Sequence, residues 1–446
     1  MYELVNALVR LLKKIVPESI VRPLRPLYHR TIAFLMALAY GFPARKLIVI
    51  GITGTKGKST TADMLFAILR EAGYTTALLS TIRFAIGDDS EPNLYKMSLP
   101  GRGFAQAFMH RALRAGCTHL VIELTSESVL QHRHLFLDLD ALIVTNIQRE
   151  HIESHGSFEN YVAAKRTIVD TLVRSPKREK KLVTNEDILE SRAFLSAKVA
   201  RAIGFSAKEL EQLHTDERSV DFEYAQVHFS LPLPGAFNAL NALATLKLCD
   251  ELRIPLSTAA TALATLPVVR GRVEHIDAGQ NFLVVVDYAH TPDSLQALYD
   301  AFPAKRKICV LGNTGGGRDT WKRPEMGRIA DEECEKVILT NEDPYDENPR
   351  TIVDAMVRDM KHEPEIIMDR REAIRAALQL ALSLSKNAQP LDSARGAGNK
   401  NIAVLISGKG TDPFIMGARG TKTPWSDARV AREELERLHF LRSGAS

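Results

Sequence analysis

The stretch LIVIGITGTKGKSTTADMLFAILREA, residues 47–72, decides the fold of this chain. It opens with an apolar run at residues 47–50, continues with a glycine-rich turn at residues 51–59, and ends with a helical pattern at residues 60–72. A buried strand, a tight turn and a helix in this order open an α/β unit. The sequence therefore predicts an α/β fold that begins near residue 46.

Later apolar segments extend this pattern into a sheet. Runs of strand length at residues 120–122 and 141–144 end in polar residues, which is typical of buried parallel strands with ligands at their carboxyl ends. The pattern stops near residues 267–271, and a second series begins, with strands at 282–286, 307–311, 336–339 and 402–406 and helices at 350–361 and 371–384. We expect three parts, residues 1–45, 46–270 and 271–446, with an exposed loop at 385–400.

Composition narrows the function classes. The 446 residues are 45% hydrophobic and 25% charged with a net charge of +4, the balance of a soluble globular protein of two or three domains. A clustered basic stripe with interleaved aromatics is missing after the first segment, so no nucleic-acid binding is expected. Four scattered cysteines without a CxxC pair indicate neither a zinc knot nor a disulfide framework, and reduced thiols in the cytoplasm are expected.

The turn at residues 51–59 has the residues of a phosphate-binding loop. Its backbone amides and the following helix N-terminus can hold phosphates, Lys58 can reach the terminal ones, and the Ser59 hydroxyl can ligate magnesium. The first glycine lies one residue further from Gly57 than the general pattern requires. ATP and Mg²⁺ are the expected cofactors.

This loop resembles that of the Mur ligase and folylpolyglutamate synthase superfamily, and further blocks of the chain continue the resemblance from residue 47 to about residue 434. The most specific is DYAHTPDSL at residues 287–295, which resembles a block of the muramyl-tripeptide synthetases. The other blocks are at residues 123–128, 145–151, 161–165, 235–244, 271–274, 312–327, 340–345 and 408–412. The resemblance implies a P-loop central domain with a mainly parallel sheet, followed by a Rossmann-like α/β C-terminal domain.

The resemblance also implies roles for individual residues. The catalytic residues would be Lys58, Glu123, His151 and Lys165, and the magnesium ligands Ser59, Glu123, His151 and Lys165, with Lys165 carbamylated. The nucleotide would be bound by Gly54, Thr55, Gly57, Lys58, Ser59, Thr60, Asn241, Arg272, Asp287 and His290. The incoming amino acid would be bound by Arg318, Asp343, Tyr345, Gly408 and Asp412.

These roles imply an ADP-forming amide ligase that adds an amino acid to a carboxyl-ended peptidoglycan-type precursor through an acyl phosphate. Its substrates would be small molecules and peptide precursors, and we expect a monomer. Divalent cations and fixed positive charge would overcome the repulsion between triphosphate and carboxylate. Three alternatives remain open: a cyanophycin- or polyglutamate-type ligase, a P-loop ATPase or kinase without ligation, and a non-catalytic scaffold.

The beginning of the chain departs from the family pattern. A muramyl-tripeptide synthetase carries an N-terminal domain of about 100 residues that binds the UDP-sugar, whereas about 45 residues precede the loop here. Residues 1–45 are basic and apolar, with leucines at helical spacing. Two interpretations remain open, helices packed on the catalytic body and a basic amphipathic helix on anionic lipid. We do not expect a secretory signal.

A second departure concerns the amino acid. Tyr345 replaces the arginine that holds the distal carboxylate in diaminopimelate-adding members, while Arg318 remains for the α-carboxylate. Acidic residues surround this position, which predicts a side chain that ends in an ammonium group, such as lysine or ornithine. They are Glu342, Asp343, Asp346, Glu347 and Asp412. Two alternatives remain open: some of these carboxylates cap a helix or face solvent, or Lys322, Arg323 or Arg419 takes the place of the missing arginine.

Overall fold

The computed structural model describes residues 18–95, 97–101, 103–150, 155–267, 269–303, 305–387 and 401–443. Residues 1–17, the predicted ligand His151 and residues 388–400 of the predicted loop lie outside this part of the chain. The chain forms two compact units. The first comprises residues up to His214, Val220–Pro232 and Ala236–Leu266, and the second comprises Thr215–Ser219, Leu233–Gly235 and the residues from Pro267 onward.

An eight-stranded sheet forms the centre of the first unit, in the order β4-β3-β2-β5-β1-β6-β7-β8. Strand β1 is central and pairs in parallel with both β5 and β6, which puts the carboxyl ends of all three strands at the same edge. The strands are β1 Ile48–Thr53, β2 Thr76–Leu79, β3 Arg83–Ile86, β4 Asp89–Pro92, β5 His119–Glu123, β6 Ala141–Val144, β7 Lys181–Asn185 and β8 Arg201–Phe205.

Helices cover this sheet, and a small antiparallel sheet follows it. The helices are α1 Glu18–Ala39, α2 Lys58–Glu71, α3 Phe104–Arg114, α4 Ser126–Leu130, α5 Phe158–Val173, α6 Leu189–Arg192, α7 Ala236–Glu251 and α8 Leu256–Ala264. The small sheet contains β9 Glu211–Thr215, β10 Val220–Tyr224 and β11 Val227–Leu231. Among the described residues, no helix combines the length and the apolar character needed to cross a membrane.

The second unit is built on a six-stranded sheet in the order β12-β13-β17-β14-β15-β16, in which only β12 pairs antiparallel. Its strands are β12 Glu274–His275, β13 Leu283–Asp287, β14 Arg306–Leu311, β15 Lys336–Leu339, β16 Glu365–Ile366 and β17 Ile402–Ser407, and a hairpin adds β18 Phe414–Met416 and β19 Lys422–Pro424. Its helices are α9 Pro292–Asp300, α10 Lys322–Glu333, α11 Pro349–Val357, α12 Arg370–Asn387 and α13 Asp427–Ser443.

The predicted fold class is confirmed, because both large sheets are mainly parallel with helices between successive strands. The apolar runs become strands that are buried along almost their whole length, as in β5, β6 and β17. The predicted loop is wrong at its start, since residues 385–387 continue α12. Lys386 favours a helix, and Ser385 and Asn387 cost only a fraction of a kcal/mol each, about 0.7 kcal/mol at most, so the helix can continue through them.

The expectation of four reduced cysteines is also wrong. Cys309 and Cys334 form a disulfide, and Cys117 and Cys249 are free and buried. Cys309 lies on β14, and Cys334 directly follows α10 on the way to the neighbouring strand β15. Parallel pairing of β14 with β15 therefore brings together two residues that are 25 apart in sequence, a spacing that matches no familiar cysteine motif.

Candidate active site

The phosphate loop, defined here as residues 54–57, connects β1 to α2 and has room only for glycine at two positions. Gly54 and Gly57 have φ angles of +148° and +78°. A Cβ atom at Gly54 would lie 2.0 Å from Thr145 Oγ1, and one at Gly57 would lie 2.2 Å from Asn241 Oδ1. The backbone of the loop therefore lies directly against both side chains, as a close-fitting phosphate cradle requires.

Residues at the end of β6 hold the phosphate loop in shape. Asn146 Oδ1 accepts a 2.8 Å hydrogen bond from the Lys56 amide, and Asn146 Nδ2 donates to the Lys56 carbonyl at 3.1 Å. The Thr145 hydroxyl donates to the same carbonyl at 2.6 Å. These two residues belong to the predicted block at residues 145–151, and they act here by fixing the loop backbone.

Glu123 ends β5 next to the start of α2 and is almost completely buried. Its Oε2 atom accepts hydrogen bonds from the Ser59 hydroxyl at 3.0 Å and from both the amide and the hydroxyl of Thr81 at 2.9 Å. A carboxylate and a hydroxyl are the hard oxygen donors that Mg²⁺ prefers. The pair of Ser59 and Glu123 therefore fits a magnesium ion that keeps several water or phosphate ligands.

Among the described residues, no group of three or more His, Cys, Asp or Glu side chains could hold a metal ion by itself. His151, the predicted nitrogen ligand, lies outside the described residues.

Lys165 lies beneath the phosphate loop, on the inner face of α5. Its side chain is buried, and Nζ donates to the Gly54 carbonyl at 2.8 Å and to the Thr53 hydroxyl at 3.2 Å. Burial lowers the pKa of this amine well below its usual range, and the positive charge of Lys58 lowers it further, while nearby glutamates act in the opposite direction. A lowered pKa favours the neutral, nucleophilic form of the amine.

Lys58 and Lys56 show different contacts within the same loop region. Lys58 is the first residue of α2, and its amine donates to the Thr55 carbonyl at 2.7 Å. Lys56 forms a 2.8 Å ion pair with Glu150, whose side chain is nearly buried. Tyr161 Oη shares a 2.8 Å hydrogen bond with the Thr55 hydroxyl, which ties α5 to the loop.

In the second unit, Asp287 organises the chain around the predicted Gly-Arg-x-Glu block. Its Oδ2 atom accepts the Val273 amide at 2.7 Å, and Oδ1 accepts the Ala289 amide at 2.7 Å. Val273 has a φ angle of +46°, which is unfavourable for a β-branched residue, so this hydrogen bond holds a strained backbone. Both carboxylate oxygen atoms of Asp287, a predicted nucleotide ligand, thus contact backbone amides.

The predicted nucleotide ligands Arg272 and His290 both contact the ring of Tyr288. The Arg272 guanidinium lies 4.6 Å from the centre of the Tyr288 ring, and the His290 ring lies 4.5 Å from it. His290 Nδ1 is 2.7 Å from the Tyr288 carbonyl oxygen, which orients the imidazole. The structure therefore brings Arg272, Asp287 and His290 together at the end of β13.

Two segments of the second unit form what we call the acidic block, residues 342–347 and 408–412. At its centre, the buried Lys409 amine donates to Asp343 Oδ1 at 2.7 Å, to the Phe414 carbonyl at 2.7 Å and to Asp412 Oδ2 at 3.3 Å. Asp343 Oδ1 also accepts the Met416 amide at 2.7 Å. Two of the predicted amino-acid ligands are therefore partners of one buried cation.

Glu342 is a buried carboxyl group of the acidic block. Its Oε1 atom accepts a 2.8 Å hydrogen bond from the Thr314 hydroxyl, and Oε2 lies where a Cβ atom at Gly408 would approach within 2.2 Å. Burial raises the pKa of Glu342, and the positive charges of Arg370 and Lys409 oppose that rise. Gly408 has a φ angle of +106°, so this position requires glycine for both conformation and space.

The predicted preference for lysine rests on carboxylates that already have partners. Glu347 forms a two-pronged ion pair with the buried Arg323, and Asp343 and Asp412 contact Lys409. These contacts weaken the charge argument, and the preference for lysine stays a prediction. The exposed Arg318 stacks on Tyr345, with its guanidinium 4.8 Å from the ring centre.

Sequence reasoning missed two residues of this arrangement. Thr81 follows β2, which is parallel to β5, so the rule that ligands lie at strand ends could have found it beside Glu123. Lys409 lies in the predicted block at residues 408–412, but its role depends on carboxylates from separate segments. Only the folded structure brings those groups to one amine.

The arrangement of β1, the phosphate loop and α2 defines the first unit as a P-loop nucleotide-binding fold. Comparison with known families then matches residues 52–249 to the Mur ligase middle domain and residues 271–410 to the Mur ligase glutamate ligase domain. The chain is 32% identical over 419 residues to the UDP-N-acetylmuramoyl-L-alanyl-D-glutamate–2,6-diaminopimelate ligase of Syntrophomonas wolfei, covering 91% of this chain and 81% of that relative. It is also 32% identical to the UDP-N-acetylmuramyl-tripeptide synthetase of a Roseiflexus strain, covering 92% of this chain and 82% of the relative. The chain therefore belongs to the Mur ligase family.

Solved structures show the same fold. A UDP-N-acetylmuramoyl-L-alanyl-D-glutamate–2,6-diaminopimelate ligase superposes with a TM-score of 0.58 and 24% identity, covering 88% of this chain and 79% of that one. The folylpolyglutamate synthase of Mycobacterium tuberculosis superposes with a TM-score of 0.64 and 16% identity, covering 85% of this chain and 92% of that one.

Proposed function

We propose that this chain uses ATP to join the amine of an amino acid to the carboxyl end of a peptidoglycan-type peptide precursor, releasing ADP and phosphate. The observation that carries the proposal is the grouping of Ser59, Glu123 and Lys165 around a phosphate loop that leads into Lys58. The names of its relatives, a diaminopimelate ligase and a tripeptide synthetase, support the type of acceptor.

In the first step, a carboxylate oxygen of the acceptor attacks the γ-phosphorus of ATP, and the bond to the β,γ-bridging oxygen breaks to give an acyl phosphate and ADP. The amides of the phosphate loop and the N-terminus of α2 hold the phosphates. The Lys58 amine lies at the same end of α2 and offsets negative charge that grows on the transferred group. Fixing the two anionic substrates in line is the main contribution of the protein.

Mg²⁺, when bound, would offset the negative charge of the phosphate oxygens and so favour attack at phosphorus. Ser59 and Glu123 would hold it, since they supply adjacent hard oxygen atoms in a buried position. Thr81 would keep the Glu123 carboxylate in its orientation through two hydrogen bonds.

Lys165 is proposed to be carbamylated. Its neutral amine would attack the carbon of CO₂, forming an N–C bond and releasing one proton, so that a buried amine becomes an anionic oxygen donor. Support comes from the burial of the amine and from the conditions that favour its neutral form. The position directly below Gly54 would put the new carboxylate beside the phosphate loop.

In the second step, the amine of the amino acid attacks the acyl carbon, the amide bond forms, and phosphate leaves as the amine loses a proton. We assign ATP binding to the domain at residues 46–270 and amino-acid binding to the domain at residues 271–446. Within the latter, Arg318 is the partner proposed for the α-carboxylate, because it is an exposed guanidinium at the edge of the acidic block.

The experiment is a screen of acceptors against amino acids, with phosphate release and product mass as readouts. It includes UDP-muramyl dipeptide, folate and a cyanophycin-type peptide as acceptors, and L-lysine and meso-diaminopimelate at equal concentration as amines. The proposal expects phosphate release that needs both substrates and a product heavier by one amino acid minus water. Phosphate release without any amine would contradict it and favour a simple ATPase. A product only with folate would favour a polyglutamylating ligase.

A further inference from the structure

Helix α1 has one face packed on the first unit and one face exposed. On the packed face, Met36 and Ala37 are buried, and Met36 fills the space beside Gly103. The opposite face bears large apolar side chains at helical spacing, with exposed fractions of 66% for Leu27, 45% for Phe34, 52% for Leu35 and 55% for Leu38. The contact with Gly103 anchors the helix, so this apolar face is held in a fixed orientation.

The net positive charge of the sequence is concentrated in the segment that contains this helix. Residues 1–46 contain eight basic and two acidic side chains, a net charge of +6, whereas the whole chain carries +4. The other 400 residues therefore carry a net charge of −2. Arg30, on the exposed face of α1, and Arg45, six residues after the end of α1, are both exposed.

An aromatic cluster adjoins the apolar face. Phe34 lies 5.8 Å from Phe136 and 6.3 Å from Phe42, measured between ring centres. The Arg45 guanidinium lies 4.2 Å from the centre of the Phe42 ring. Leucine and phenylalanine on one face with arginine at its rim is the composition of helices that lie in a membrane interface.

We propose that α1 docks this chain on an anionic lipid surface, with its apolar face in the interface and the surrounding basic residues over acidic headgroups. Since α1 does not meet the requirements for crossing a membrane, it would lie on the bilayer. Charge decides against a second copy of the chain as the occupant. Two such faces would bring two segments of net charge +6 together, whereas acidic lipid attracts them.

The test is flotation of the full chain with lipid vesicles. We expect binding to vesicles that contain about 30% phosphatidylglycerol in phosphatidylcholine, little binding to pure phosphatidylcholine, and release at about 0.5 M salt. The double substitution L35E/L38E should lower the partition coefficient at least about tenfold. The control L189E changes a leucine on α6 of the same unit that is even more exposed, at 74%, and should bind like the wild type.

A second variant keeps the test independent of the fold of α1. R30Q/R45Q removes two exposed charges and leaves the apolar face intact, so its binding should be weaker and less sensitive to salt. Ligation of a soluble acceptor without vesicles should be the same for L35E/L38E as for the wild type, which separates this proposal from the proposed function. The proposal is overturned by equal binding to neutral and anionic vesicles, by L35E/L38E binding like L189E, or by a wild-type dimer that L35E/L38E dissociates.

Discussion

The phosphate loop of the first unit and the acidic block of the second unit both lie at the ends of parallel strands, but their charged groups have different partners. Around the phosphate loop, Lys58 and Lys165 donate to backbone carbonyl oxygens, and Glu123 accepts from hydroxyl groups and an amide. In the acidic block, Asp343 and Asp412 contact the buried cation of Lys409.

This difference distinguishes two kinds of charged group. Those around the phosphate loop would interact with a charged substrate, and those in the acidic block stabilise the folded protein. The carbonyl oxygen that accepts from Lys58 is neutral and does not compensate the charge of its amine, whereas an aspartate paired with a buried lysine already has its charge compensated. Substitutions in the two regions should therefore have different effects, although both regions resemble the family pattern in sequence. Substitutions near the phosphate loop should change catalysis, and substitutions at the centre of the acidic block should change stability.

The largest expected effect is that of Lys58→Ala. It removes a cation from the point where negative charge grows during phosphoryl transfer, so kcat should fall about 10³-fold while the melting temperature stays unchanged. Steady-state kinetics and thermal melting measure both. Lys56→Ala is the matched control from the same loop, and because that amine is paired with Glu150, its loss should lower kcat less than about tenfold. Equal effects of the two substitutions would contradict the role of Lys58.

Asp343→Asn should mainly destabilise the second unit. It leaves the buried Lys409 with one carboxylate at a longer distance, so the free energy of unfolding should fall by about 3 kcal/mol in chemical denaturation. Asp346→Asn is the control, since this exposed residue of the same block accepts the Arg419 amide and, within the described part of the chain, is not a partner of Lys409, and its effect should be below about 0.5 kcal/mol. The double variant D343N/K409Q should recover part of the loss, and a stable D343N protein with a raised KM for the amino acid would instead make Asp343 a substrate ligand.

Lys165→Ala should lower kcat about 100-fold if its carbamate is a metal ligand. Added formate or acetate should restore part of the activity, because a small carboxylate can enter the vacated space. Wild-type activity should also fall in buffer depleted of bicarbonate. Lys165→Arg keeps a positive charge but cannot be carbamylated, so it should be inactive and resistant to rescue. Full activity of the unrescued Lys165→Ala protein would rule out the carbamate.

Arg318→Ala tests whether the exposed guanidinium at the edge of the acidic block binds the amino acid. The exposed guanidinium stacks on Tyr345, so its removal should not change the melting temperature. The KM for the amino acid should rise about tenfold, as expected for the loss of one charge-assisted hydrogen bond, while the KM for ATP stays constant. An unchanged KM for the amino acid would place the carboxylate elsewhere.

The smallest expected effect is a gain of stability in Glu342→Gln. Because the folded protein holds the pKa of Glu342 above 4.5, the folded state binds more protons than the unfolded state above that pH, and stability falls as pH rises through this window. The neutral amide of Gln at position 342 does not ionise, so the variant does not lose this stability as the pH rises. The melting temperature of Glu342→Gln should therefore exceed that of the wild type at pH 7.5, and the difference should disappear as the pH falls below 4.5. A constant difference at both pH values would point to packing.

The sequence predicts the fold and the phosphate loop well because both depend on local patterns. Apolar runs define β5 and β6, and parallel pairing then brings Glu123 to Ser59. The partners of buried charges depend on contacts between distant segments. No local sequence pattern predicts that Lys409 contacts Asp343, 66 residues away, or that Cys309 forms a disulfide with Cys334. From the sequence alone, the acidic block therefore suggests a binding site for an ammonium group of the substrate.

The most direct test of the proposed ligase follows an oxygen isotope. An acceptor whose terminal carboxylate carries ¹⁸O is incubated with ATP, Mg²⁺ and the amino acid, and the released phosphate is analysed by mass spectrometry. Attack of the carboxylate on the γ-phosphorus moves one of its oxygens into the acyl phosphate and then into inorganic phosphate. The account predicts one ¹⁸O atom in the phosphate for each amide bond formed from a fully labelled acceptor. Amide formation with unlabelled phosphate would contradict it.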